Sequence, residues 1–183
     1  MFVQIALFLL DTVVSFLVLL LLARFHFQWL RVPFRNPVGE FLVATTNWIV
    51  LPAWRVIPGL AGLDLATVLT AWVIQALGLW AKLAIAGSEP GVLALLAVAA
   101  LELVRFSVYI LVVALIVQAV FSWVNPGAPL AWIFNAVTQP FLRPLRRFIP
   151  PVGGIDLTPL VLIVLLQVLV FPINYLQALA ATL

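Results

Sequence analysis

Two acidic residues lie inside apolar stretches of this sequence, where a charged side chain is costly and often functional. Asp11 lies in the first such stretch, and Glu102 lies in the third with Arg105 three residues further on. Residues three apart share one face of a helix, so Glu102 and Arg105 can form an ion pair. Gln75 and Gln167 lie in the second and fourth stretches, where they could sit at the same depth and hydrogen-bond across helices. These five residues predict either contacts that hold helices together or a polar path for a cation or proton.

A group of arginines follows the third apolar stretch. Arg143, Arg146 and Arg147 could contact lipid phosphates, pair with Asp156 or bind a partner protein. Arg55 lies in a similar segment of the first half, where it could reach a nearby aspartate. We therefore treat the four arginines as candidate lipid or partner contacts.

The prolines and glycines around these arginines predict how the chain is connected. Proline lacks an N–H group and disfavours helix in the residue before it, so prolines 140, 144, 150 and 151 predict an extended or broken connector. Gly153-Gly154 permits a tight turn. Asp156 is then placed to cap the fourth apolar stretch, and Asp64, with Gly62 as its turn residue, to cap the second. A salt bridge or ion contact is the alternative role of the two aspartates.

The sequence lacks the residues that most enzymes and metal sites need. It has no cysteine, and its one histidine, His26, follows the first apolar stretch, as an interfacial residue would. It contains neither the phosphate-binding or dinucleotide-binding glycine motifs nor the zinc-protease or serine-hydrolase motifs. We expect no enzymatic activity, no cofactor and no metal site.

The composition of the 183-residue chain is that of a membrane protein. It is 66% hydrophobic and 8% charged, with a mean hydropathy of +1.29. A soluble domain has about 45–50% apolar and about 25% charged residues, so soluble and disordered proteins are excluded. The net charge of +3 comes from nine basic residues that form no basic face of a soluble domain. Anionic lipid headgroups are therefore expected partners and nucleic acid is not.

Four stretches are long enough to cross the roughly 30 Å hydrocarbon core, which takes about 20 apolar residues. They are residues 2–23, 65–86, 92–121 and 157–179. The first lacks the basic flank and cleavage site of a signal peptide, so we interpret it as a retained span. The pattern predicts an all-α membrane protein with four transmembrane helices.

The connections are two long loops, 24–63 and 122–155, and a short turn at 87–91. Each long loop contains a mostly apolar stretch with tryptophan, at 38–51 and 130–142. Tryptophan and arginine favour the headgroup zone. Each stretch therefore predicts either an interfacial or re-entrant helix, or an amphipathic surface helix packed on the bundle.

The two halves of the sequence match at a shift of 92 residues. The matched pairs include Pro37/Pro129, Thr46/Thr138, Pro52/Pro144, Arg55/Arg147, Asp64/Asp156 and Gln75/Gln167. We interpret residues 1–88 and 89–183 as two copies of a span–loop–span unit. Each copy has an even number of spans, so both enter the membrane in the same sense, whereas transporters commonly use inverted repeats.

The distribution of basic residues predicts on which side of the membrane the loops and the termini lie. Both long loops lie on one side of the membrane and hold seven arginines, whereas the other side has at most Lys82. The positive-inside rule then places the loops in the cytoplasm and both termini outside.

The segment from Thr138 to Pro159 resembles the signature of the YggT family, also called YlmG, and so do residues 31–38 and 51–65. The resemblance covers nearly the whole chain. It implies a small multi-pass protein of the bacterial inner membrane with two copies of the unit. It also implies an accessory group linked in different lineages to osmotic or potassium stress, cell division and plastid cytochrome assembly.

These observations predict a non-enzymatic accessory protein that assists or organises other membrane proteins. One alternative is an oligomeric ion-handling protein, a channel or modulator, acting in osmotic stress. Another is a lipid-binding or bilayer-shaping protein. The expected partners are anionic lipids, other membrane proteins and further copies of the chain.

Overall fold

The computed structural model describes residues 1–57, 64–89, 91–125, 127–149 and 156–182. This part of the chain forms six α-helices and no β-strand. The helices are α1 (Phe2–Trp29), α2 (Pro37–Val56), α3 (Leu65–Ile85), α4 (Val92–Val124), α5 (Ala131–Leu145) and α6 (Thr158–Ala180).

Four of the helices are long and apolar enough to cross a membrane. These are α1, α3, the Val92–Ser122 part of α4, and α6, with 21 to 31 residues each. The prediction of an all-α membrane protein with four spans is therefore confirmed. The first helix extends to Trp29, six residues beyond the predicted span, and the side chain of Arg24 in this extension is buried against α2.

Helices α2 and α5 lie in the two long loops. The carboxamide oxygen of Asn36 accepts a hydrogen bond from the Gly39 N–H at 2.8 Å, and Pro37 occupies the first helical position of α2. Both features favour a helix start. The repeat, the depth of α2 and α5 in the bilayer, and the orientation of the loops stay predictions.

The prolines at 140, 144, 150 and 151 predicted an extended or broken connector, and this prediction was wrong for Pro140 and Pro144. Both lie inside α5, just as Pro52 lies inside α2. The three side chains are exposed, so the carbonyl groups that lose a helical N–H donor lie on the outer side of each helix. The opposite face of α5 buries Ile133, Val137, Thr138 and Leu142, which holds the helix in place. The predictions for prolines 150 and 151, Gly62 and Gly153-Gly154 fall outside the described residues.

The short turn after α3 is partly described. Gly87 has a φ of +77°, a conformation that glycine adopts without the steric cost of a Cβ atom. The N–H of Ser88 donates to the carbonyl of Leu83 at 2.9 Å, which closes the end of the helix. Pro90 lies outside the described residues.

The chain divides into two compact units. Unit 1 comprises Met1–Ser107 and Ile173–Leu183, and unit 2 comprises Val108–Pro172. In unit 1, helix α1 packs on α2 and α3, with Val18 and Leu21 fully buried. Gly78 of α3 lies directly against the Val14 side chain of α1, so the two helices approach closely there.

In unit 2, the later part of α4 packs with α5 and the first part of α6. Its apolar core contains Leu115, Leu142 and Leu162, one from each helix. The halves 1–88 and 89–183 were defined by sequence matches rather than by compactness, and they stay a prediction.

Candidate functional site

Asp64 begins helix α3 and accepts three hydrogen bonds. Its Oδ1 accepts from the Thr67 N–H at 3.1 Å, and its Oδ2 accepts from the Thr67 hydroxyl at 2.5 Å. The indole Nε1 of Trp54, in the last turn of α2, donates to Oδ1 at 2.8 Å. Asp64 is only 4% exposed. It therefore caps α3 and also ties the end of α2 to the start of α3.

Arg24 completes this group from the end of α1. Its Nη1 donates to the Thr46 hydroxyl at 2.7 Å and to the Asn47 side-chain oxygen at 2.8 Å. The guanidinium carbon lies 5.2 Å from the centre of the Trp54 ring, within the range of a cation–π contact. Arg24 is 4% exposed, so it is a buried side chain that joins α1 to α2.

The sequence interpretation missed this role of Arg24, because it counted the residue among the loop arginines. The signal that could have located its partner is the helical spacing of the residues that α2 buries. These are Gly39, Leu42, Thr46 and Val50. A polar residue in such a stripe needs a polar partner.

Asp156 makes a corresponding set of contacts before α6. Its Oδ1 accepts from the Thr158 N–H at 2.9 Å, and its Oδ2 lies 2.9 Å from both Nε and Nη2 of Arg146. Partial burial raises the pKa of Asp156, but the hydrogen bonds from Thr158 and the charge and hydrogen bond of Arg146 outweigh it. The net result is a pKa below the ordinary value.

The other candidate arginines lie at the surface. Arg55 is in the last turn of α2, Arg143 is in the last turn of α5, and Arg147 follows that helix. All three side chains are exposed. Of the four arginines, the structure thus brings Arg146 to Asp156, and the lipid or partner contacts of the group stay a prediction.

Four polar residues of unit 1 form a hydrogen-bonded chain between helices. Gln75 of α3 is 2% exposed, and its amide donates to Oε2 of Glu102 on α4. Arg105 contacts Oε1 of the same carboxylate at 2.8 Å through Nη2, and it donates to Oε1 of Gln177 on α6 at 3.1 Å through Nη1. Glu102 and Arg105 thus form an ion pair.

The other polar residues of the spans lie elsewhere. Asp11 of α1 forms an ion pair with Lys82 of α3, at an N···O distance of 2.5 Å. Gln167 has an exposed side chain, and the amide of Gln75 donates to Glu102. His26 lies in the last turn of α1, with Nδ1 2.6 Å from the carbonyl oxygen of Leu22. Gln177 was not among the predicted residues.

Comparison with known proteins identifies a family and several relatives of the chain. The family model described as CCB3/YggT matches residues 3–83 and 97–177. The chain is 35% identical over 163 residues to an uncharacterized protein from the proC 3' region of Vibrio alginolyticus, covering 87% of this chain and 88% of that protein. It is 34% identical over 164 residues to the uncharacterized protein YggT of Escherichia coli K12, covering 88% and 85% respectively.

A third relative is the uncharacterized protein PA0392 of Pseudomonas aeruginosa, which is 33% identical over 159 residues, covering 85% of this chain and 81% of that protein. No solved structure matches the chain. The family match extends over most of the sequence and includes the segments that hold Asp64, Asp156 and the polar residues of the spans. This multi-pass membrane protein belongs to the CCB3/YggT family.

Proposed function

We propose that the protein is a non-enzymatic accessory factor that stabilises or organises other membrane proteins. The observation that carries the proposal is the internal pairing of the charged residues of the spans. Asp11 pairs with Lys82, and Glu102 pairs with Arg105. A charge that is neutralised within the protein supports a packed bundle more than a path along which a cation binds and leaves.

The outer face of α2 supports the same function. This helix buries Leu42, Thr46 and Val50 on one side and exposes the large side chains of Phe41 and Trp48 on the other. Exposed aromatic residues are typical of interaction surfaces, since they bury a large area with little loss of conformational entropy. Arg55 adds an exposed positive charge at the end of the helix.

Copurification from native membranes tests the proposal. The full chain, tagged and extracted in native nanodiscs, is compared with the variant Phe41→Ala/Trp48→Ala by mass spectrometry of the bound integral membrane proteins. Phe8→Ala/Phe16→Ala is the matched control, because it removes two exposed aromatic side chains from α1. We expect one or more membrane proteins to be enriched with the wild type and the control and lost with the α2 variant.

Two results would contradict the proposal. One is a wild-type protein that is isolated without any enriched membrane protein. The other is potassium flux into proteoliposomes of the purified protein that Glu102→Gln abolishes, which would favour the ion-handling alternative.

A further inference from the structure

Unit 2 contains two cavities that share three lining residues. The first cavity lies between the later part of α4 and α5 and has a volume of about 610 Å³. The second lies between α4 and the first part of α6 and has a volume of about 570 Å³. Gln118, Ser122 and Arg146 line both of them. The two cavities are therefore neighbours, with the Arg146 side chain at their junction.

The walls of the two cavities differ in polarity. Trp132 and Asn135 of α5 line the first cavity. The second has apolar walls on α4 and α6, formed by Ile116, Val120, Leu160, Ile163 and Val164. Four of these five side chains are also among the exposed large hydrophobic residues of the chain. The second cavity is thus continuous with exposed apolar surface on α4 and α6.

The charged residues of unit 2 are few and lie close to Arg146 in the chain or contact it. Between Val108 and Pro172 the sequence has three arginines, Arg143, Arg146 and Arg147, and one acidic residue, Asp156, a net charge of +2. Arg146 and Asp156 line the second cavity. Arg143 and Arg147 line neither cavity, but they flank Arg146 in the chain and add positive charge around it. Positive charge beside an apolar groove is complementary to a molecule with an anionic head and a hydrocarbon tail.

Two polar side chains at the junction can bind such a head. A guanidinium has five N–H donors, and Arg146 uses Nε and Nη2 towards Asp156 while its side chain stays 39% exposed. Gln118 has a buried Oε1 without a hydrogen-bond partner among the described residues. A headgroup with a phosphate and a hydroxyl would supply an acceptor to Arg146 and a donor to Gln118.

We propose that unit 2 binds one anionic phospholipid, with the phosphate against Arg146 and an acyl chain in the groove between α4 and α6. The phosphate shares the guanidinium with Asp156, so the ion pair between Arg146 and Asp156 competes with the lipid. This site is independent of the proposed accessory function, because it involves neither the outer face of α2 nor the paired residues of unit 1.

Native mass spectrometry of the delipidated full chain tests the site. Phosphatidylglycerol and phosphatidylcholine with identical acyl chains are the probes, since they differ only in the headgroup. We expect one tightly bound phosphatidylglycerol per chain and about tenfold weaker binding of phosphatidylcholine. Arg146→Gln weakens phosphatidylglycerol binding by a similar factor. Arg35→Gln, which removes an exposed arginine of unit 1, leaves binding unchanged.

Two further variants separate binding from folding. Asp156→Asn removes the competing carboxylate, so phosphatidylglycerol binds as tightly as to the wild type or more tightly. A purely structural role of the ion pair predicts instead that Arg146→Gln and Asp156→Asn act in the same direction. Ser122→Trp fills the junction and prevents binding, whereas Ala44→Trp, at an exposed position of α2, does not.

Three results would overturn the proposal. They are equal binding of the two phospholipids, equal loss of binding in Arg146→Gln and Arg35→Gln, and displacement of the lipid by millimolar inorganic phosphate. The last result would identify a site for free phosphate in place of a lipid site.

Discussion

Trp54 donates its indole N–H to Asp64 at 2.8 Å, from the last turn of α2 to the residue that begins α3. Arg146 contacts Asp156 at 2.9 Å across the same interval of ten residues, between the end of α5 and the start of α6. The two donors, Trp54 and Arg146, are 92 positions apart in the sequence, and so are the two acceptors, Asp64 and Asp156. A neutral indole and a charged guanidinium thus make the same connection, although the two residue types suggested no common role.

Replacing Trp54 tests the first of these connections. Trp54→Phe keeps an aromatic ring beside Arg24 but removes the donor to Asp64. We expect a loss of about 1 kcal/mol, seen as a melting temperature about 2–4 °C lower in detergent. Trp48→Phe is the control, because its indole donates only to the nearby carbonyl of Thr45. An equal effect of the two substitutions would show that the contact with Asp64 contributes nothing.

The second connection predicts a dependence of stability on pH. The pKa of Asp156 in the folded protein is below its ordinary value of about 3.9. The contribution of Asp156 is therefore complete above about pH 4 and is lost as the pH falls through the lower, folded-state pKa. Because the side chain is 40% exposed, we expect well under 1 kcal/mol. Melting curves of wild type and Asp156→Asn should differ at pH 6 and converge on acidification; a constant difference would contradict the prediction.

Arg24 should contribute more to stability than any exposed arginine. Arg24→Met keeps much of the side-chain volume but leaves the buried hydroxyl of Thr46 and the half-buried side-chain oxygen of Asn47 without their donor. Each such acceptor costs about 1–3 kcal/mol. Arg35→Met, at an exposed position, should change stability by less than about 0.5 kcal/mol. Reversible unfolding in mixed micelles measures both, and similar values would contradict the burial of Arg24.

The Glu102–Arg105 pair should show energetic coupling. Glu102→Gln and Arg105→Gln each leave one charge without its partner, which costs about 3–5 kcal/mol when the pair is buried. The double variant should lose less than the two single losses combined, with a coupling energy of about 1–3 kcal/mol. The same cycle on Arg146 and Asp156, which are about 40% exposed, should give less than about 1 kcal/mol. Additive losses at Glu102 and Arg105 would show that they do not interact.

The close approach of α1 and α3 predicts a repacking experiment. A Cβ atom at Gly78 would lie 2.6 Å from Cγ1 of Val14, so Gly78→Ala should cost about 1–3 kcal/mol. Adding Val14→Ala should restore most of the loss, because it removes the methyl groups in the way. Gly127→Ala is the control, since its Cβ atom would meet its nearest neighbour at 3.7 Å. Failure of Val14→Ala to rescue the variant would contradict this packing.

The length and number of the spans could be predicted because the bilayer sets a minimum length for an apolar run. Helices α3 and α4 begin at the predicted residues 65 and 92, and α6 begins one residue after the predicted start. Asp64 and Asp156 were identified by the glycines and prolines around them. Span length and helix caps can each be predicted from one segment of the sequence, without knowledge of its neighbours in space.

The partners of polar residues within the spans were harder to predict. Gln75 and Gln167 were predicted to hydrogen-bond across helices, but Glu102 was not named as the partner of Gln75, and Gln177 was not identified at all. A helix that is apolar on all sides gives no periodic pattern from which its rotation about its own axis can be read. Contacts between spans depend on that rotation, so they need the three-dimensional structure.

The two prolines of α5 also determine what must surround that helix. Pro140 and Pro144 have no N–H, so the carbonyl oxygens of Ala136 and Pro140 lose their usual helical donors. In hydrocarbon, a peptide oxygen without a donor costs several kcal/mol. Pro172 leaves one such oxygen within the span α6, whereas α5 has two on successive turns, and water or lipid headgroups can supply donors to both near the membrane surface. We therefore expect the proline-containing part of α5 to lie in the hydrated headgroup layer, where its amide hydrogens would exchange with deuterium faster than those of the four spans.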